Sequence, residues 1–156
     1  MIDLKCVALS LFAILPLFGY AQQNRKVAVL PRHEANAIPK LFLRPMTGRI
    51  TGTWQPTKSD YDSVEANLSR ISTMPLPGWP AVLRIEHPEQ DFRQYVPVIL
   101  SGEKVIFINA FCNEVQPLPY WHVRVVQYFD GATCFWRAFF NPATREFTQL
   151  DINARA

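Results

Sequence analysis

The stretch "FRQYVPVILSGEKVIFINAFC", residues 92–112, decides how the rest of the chain is read. Residues 92–100 and 105–112 are two runs of aromatic and β-branched residues, the types that suit a pleated, half-buried surface. "SGEK" between them carries a glycine where a tight reversal needs one, so the two runs read as arms of a hairpin. Pro97 has no N–H to give a ladder, which places its strand at an edge or a bulge.

Working outward, "HVRVVQYF" (122–129) and "CFWRAFF" (134–140) read as two further strands joined by "DGAT", and "NPAT" leads into "EFTQLDI" (146–152). "AVLRIE" (81–86) is strand-like as well. On the N-terminal side, "PTKSDYDSVEANLSRIS" (56–72) has the marks of a helix. Thr57 and Asp60 are spaced as a capping pair, with Ser59 as a competing cap. Tyr61, Val64, Leu68 and Ile71 recur at the spacing of one helical face. "TMPLPGWP" stops the helix, because proline cannot continue the backbone ladder. The expectation is an α+β domain over 57–156, one amphipathic helix at about 58–72 packed on an antiparallel sheet of four to five strands.

Residues 22–56 read as an extended N-terminal arm that packs in patches, with "KVAVL" and "KLFL" as brief edge strands and "GRITGTW" (48–54) as a short strand. Residues 1–21 read as a secretory signal peptide: Lys5 precedes an apolar run from Cys6 to Phe18, and Gly19-Tyr20-Ala21 supplies the small-x-small cleavage pattern. The run falls short of the ~20 residues of a spanning helix and contains Pro16, so no stable membrane anchor is expected once it is removed. Loss of Asp3 and Lys5 leaves the formal charge at +3, spread along the chain. That lacks the concentrated basic face of a nucleic-acid binder.

Two cysteines remain after the leader, Cys112 and Cys134, and an even pair in an oxidising compartment reads as a disulfide. In a simple meander that counts 122–129 as a strand, the two would lie at opposite ends of the sheet, ~25 Å apart at 3.3 Å per residue. A bridge needs Cα atoms within about 7 Å. The route preferred from sequence is that "NEVQPLPYW" (113–121) runs back along the sheet, which nine extended residues can span. The other ways out are that the bridge does not form or that the strand limits are misplaced.

The candidate chemistry is sparse. "PLPGW" (75–79) and "PLPYW" (117–121) deliver Trp79, Tyr120 and Trp121 on stiff proline arms. They form either an exposed aromatic binding shelf or lids over the core where strands begin, and the second account needs no ligand. "EHPEQD" (86–91) gathers Glu86, His87, Glu89 and Asp91, which could trade protons or hold a cation but has the polarity of a solvated turn. His33-Glu34 opens a helical zinc motif whose second histidine would fall at Ala37, so no metal site follows. No nucleophile elbow or phosphate loop is present, and no cofactor is expected.

"VIFINAFC", a lone tryptophan and then "DGATCFWRAFFNPATREFTQLDINARA" resemble the ending of small exported bacterial proteins of no established function. The resemblance covers about 92–156. It implies export and the pairing of Cys112 with Cys134, and it implies no catalytic residue. The chain departs from that pattern at Ala132, where a second glycine is expected, and at Ala154 after Asn153. Three functions are carried forward. The first is an exported protein-binding module of the bacterial envelope, periplasmic or secreted, inhibitor- or immunity-like, with an envelope or secreted protein as partner. The second is a small hydrolase or lyase at Glu86, His87 and Asp91. The third is a structural envelope component.

Overall fold

The computed structural model describes residues 26–154; the expected leader at 1–21 lies outside the described residues. The hairpin forms as its sequence demands. Strand β3 (Phe92–Leu100) pairs antiparallel with β4 (Glu103–Phe111), Leu100 facing Glu103. Ser101 and Gly102 turn the chain with φ of 50° and 90°. Two positive angles in succession give the reversal whose twist matches that of the flanking strands. Strands β5 (Phe135–Asn141) and β6 (Glu146–Ile152) add successively to the β4 edge, both antiparallel.

On the other edge of β3 the residues expected to be an arm complete the sheet. β1 (Val27–Val29) pairs parallel with residues 93–95, and β2 (Ile50–Thr53) pairs antiparallel with residues 98–100. The sheet is therefore mixed and six-stranded, in the order β1-β3-β4-β5-β6 with β2 beside β1 along β3. This is an α+β fold. The expected helix on a mostly antiparallel sheet is borne out, and "KVAVL" and "GRITGTW" supply the brief strands read there; the one parallel pairing, β1 with β3, is added by a segment too short to carry a pattern of its own. Pro97 is accommodated inside a central strand. The Arg93 N–H donates to the Lys26 carbonyl and the Tyr95 carbonyl accepts from the Leu30 N–H, so odd residues of β3 turn their backbone groups to this edge. Pro97 faces the interval between the last β1 partner, Tyr95, and the first β2 partner, Val98. Its missing donor falls where neither strand reaches.

Helix α1 (Lys58–Asn67) starts at a full capping box, with the Thr57 side chain accepting from the Asp60 N–H and Asp60 accepting from the Thr57 N–H at 2.7 Å. A tighter helical turn carries it on from Leu68 to Thr73. Val64, Leu68 and Ile71 are fully buried against Tyr95, Ile106, Ile108, Trp136, Ala138 and Phe140 on one sheet face. Each such side chain contributes roughly 2 kcal/mol by leaving water. Tyr61 stacks on Tyr95 with ring centroids 6.0 Å apart. Across the same interface Glu65 receives the buried Arg93 guanidinium at 2.9 Å.

Three segments expected as strands are not. Residues 81–86 form an irregular cover in which Val82 is 87% exposed and only Ile85 is buried. Pro80 and Pro88 bracket a piece too short to reach a neighbour. "KLFL" follows the tight turn Ile38–Lys40 without pairing. Residues 122–129 are loop, and that places the cysteines. With no strand between them, β4 and β5 are direct neighbours. Cys112 and Cys134 fall one step past the Phe111–Phe135 pair, with Cα atoms 4.8 Å apart and a disulfide between them. The distance conflict thus came from a strand that does not exist, not from 113–121 crossing the sheet.

Candidate functional site: a disulfide-closed loop and a carboxylate pocket

The disulfide closes a loop over 113–133 that lies on the sheet face opposite the helix. The backbone helps, since Cys112 N–H donates to the Cys134 carbonyl at 2.8 Å. A loop without regular structure exposes backbone groups, and burying them on an apolar sheet would be costly. The sheet carries a row of polar residues in register across four strands, Gln94, Asn109, Arg137 and Asp151, of which Gln94 and Asn109 meet the loop backbone directly and Asp151 accepts from the Leu43 N–H. All four are buried. Gln94 Nε2 donates to the carbonyls of Trp121 and Arg124, both at 2.6 Å, and its Oε1 accepts from the Val126 N–H at 2.8 Å. Asn109 Nδ2 donates to the Val126 carbonyl and to Gln94, both at 2.8 Å. Asn153 holds the carbonyls of Tyr128 and Asp130 at 2.7 and 3.0 Å, and Arg137 donates to Asn153 in turn. From the N-terminal segment, Glu34 accepts from the Val125 N–H at 2.8 Å. Burial pulls the Arg137 guanidinium down, while the Asp151 charge opposes that effect.

Apolar side chains pin the same loop. Trp121 is buried against the stacked Phe92–Phe111 pair, edge-on to the two rings at 5.4 and 6.0 Å. Val126 is buried beside them. The outer side is different. Tyr120, Val123 and Phe129 are 43%, 55% and 80% exposed on a backbone fixed by the contacts beneath.

The three expected aromatic residues do not form one shelf. Trp79 is half-buried and packs with the core on the helix side of the sheet, whereas Trp121 packs on the other side. Tyr120 and Trp121 are adjacent in sequence, one outward and one inward.

The acidic cluster is divided as well. Glu86 and Asp91 line one open pocket with Val82, Leu83, Arg84, Thr133 and the two cysteines. His87 is not part of it. That side chain is 71% exposed and sits 3.5 Å from Glu89, on a residue with a left-handed backbone, φ 51°. Asp91 is buried and accepts from Trp136 Nε1 at 2.7 Å. Burial, with help from the Glu114 and Glu89 charges, pushes its carboxyl up to about 6 against the pull of Trp136 and Arg93. Among the described residues no group of three or more histidine, cysteine, aspartate or glutamate side chains could hold a metal ion. No helix among them is long and apolar enough to cross a membrane.

The buried polar row was not singled out from sequence. Its signal was present: Gln94, Asn109 and Arg137 interrupt otherwise apolar strands at positions that share one face. The geometry defines an α+β sheet protein with one helix-covered face and one face roofed by a stapled loop. Comparison with family models, curated proteins and solved structures gives no match.

Proposed function

We propose that this protein is an exported binding module of the bacterial envelope, periplasmic or secreted and inhibitor- or immunity-like, that grips a protein partner through the outer side of the 113–133 loop. The observation that carries the reading is Phe129, an aromatic ring 80% exposed on a loop otherwise locked to the sheet. Solvent-facing aromatic side chains on a rigid backbone lose little entropy on docking and make efficient anchors. Tyr120 and Val123 extend the apolar surface on the same loop. The disulfide and the leader read at 1–21 support export.

A hydrolase or lyase at Glu86, His87 and Asp91 is the second reading, favoured by the pocket that Glu86 and Asp91 share. Its imidazole stands apart, because His87 pairs with Glu89 and does not line that pocket. The test is a variant carrying Phe129→Ala, Tyr120→Ala and Val123→Ser, compared with the natural chain in envelope cross-linking. The variant keeps its melting temperature and loses the partner that the natural chain captures. Capture of the same partner in the same yield would overturn the proposal.

A further inference from the structure

One step beyond the Phe92–Phe111–Phe135 row, the chain sets Asp91, Cys112 and Cys134 side by side across the ends of β3, β4 and β5. All three line the open pocket under residues 82–86, and neither cysteine is fully buried. Exposed disulfides are the ones open to attack by a thiolate. This one opens to solvent beside a buried carboxyl that the loop anchorage does not use. Trp136 holds Oδ2 of that carboxyl, and Oδ1 takes no hydrogen bond from the described residues.

We propose that Cys112–Cys134 is an exchangeable disulfide, attacked through this pocket by the thiolate of a dithiol, and that Asp91 gives its proton to the sulfur that leaves. Cys112 stands between Asp91 and Cys134 in the row, so Cys134 Sγ is the atom attacked and Cys112 Sγ the one released. The incoming sulfur bonds to Cys134 Sγ as the Cys112–Cys134 bond breaks. The electron pair goes to Cys112 Sγ, which takes the Asp91 proton and becomes a thiol. The second thiol of the dithiol, as thiolate, then bonds to its own partner sulfur in the mixed disulfide and releases Cys134 as thiolate, which, like the ionised Asp91, takes a proton from solvent. The dithiol ends oxidised to a disulfide and the cysteine pair ends reduced, so two electrons move and none are lost.

The groups facing Asp91 set when it can act. Glu89 precedes β3, Glu114 follows β4, Glu86 and Arg84 come from the covering segment, and Arg93 lies on β3 itself. Burial is the largest influence, and it keeps the carboxyl protonated up to about pH 6. Below that value Asp91 is a donor. Above it, the carboxylate repels the thiolate forming beside it.

The experiment is reduction of the folded, oxidised mature chain by dithiothreitol between about pH 5 and 7.5, followed by trapping of free thiols. Expressed per unit of reductant thiolate, the rate falls at least about tenfold as pH rises through about 6. Asp91→Asn abolishes that inflection, and Glu86→Gln retains it. A flat profile in the natural chain overturns the proposal, as does a bond that yields only after unfolding. Persistence of the inflection in Asp91→Asn, or its loss in Glu86→Gln, removes Asp91 from the role. Should Asp91→Asn fail to fold, the natural profile and the Glu86→Gln control still decide.

Discussion

Ala132 carries, at the scale of one residue, a backbone angle that suits glycine better than alanine. The resemblance placed a glycine there, and the backbone at Ala132 is left-handed, with φ 47° after Gly131 at 93°. A Cβ in that region costs about 1–2 kcal/mol, part of which glycine returns through its freer unfolded chain. Ala132→Gly is therefore expected to stabilise the fold by about 0.5–1 kcal/mol in urea unfolding. Trp121 makes the complementary point. A tryptophan on a proline arm had two readings, shelf or lid, and its burial against Phe92 and Phe111 makes it a core residue in this fold. Trp121→Ala should cost about 3–5 kcal/mol, read from the shift of the denaturation midpoint. A change below about 1 kcal/mol would mean that the loop is not packed as described.

Among the elements, those with strong local patterns were legible and those defined by distant partners were not. The capping box at Thr57 and Asp60, the buried stripe of Val64, Leu68 and Ile71, and the four long strands all followed from spacing and residue type. Residues 122–129 misled because "VRVV" has the composition of a strand, yet its backbone is already claimed by Gln94 and Asn109. Tertiary hydrogen bonds overrode propensity there. The parallel pairing of β1 was invisible for the converse reason, since three residues carry no period. The polar row is the element on which the loop depends. Gln94→Ala leaves the Trp121 and Arg124 carbonyls and the Val126 N–H without their partner. Stability should fall by about 2–3 kcal/mol. Hydrogen exchange at the Val126 amide should quicken well beyond that of the β3–β4 ladder. Equal acceleration of both would place the loop within the global unfolding unit.

For the whole molecule, the sheet divides labour between its faces. One is sealed by α1 and its Arg93–Glu65 pair, and the other carries a loop fixed from below that presents Tyr120, Val123 and Phe129 among polar neighbours outside. The candidate site was half legible. The sequence marked the "PLPYW" loop and the Glu86–Asp91 cluster, but not which side chains face outward. Exposure depends on what lies beneath, and Phe129 had looked like one more strand aromatic. The direct measurement is site-specific photo-crosslinking in the envelope, with a benzoylphenylalanine in place of Phe129 and, as control, in place of exposed Lys58 on the opposite face. A binding module of this design gives one discrete crosslinked protein from position 129 and none from position 58. No product from 129, or the same smear from both, would contradict it.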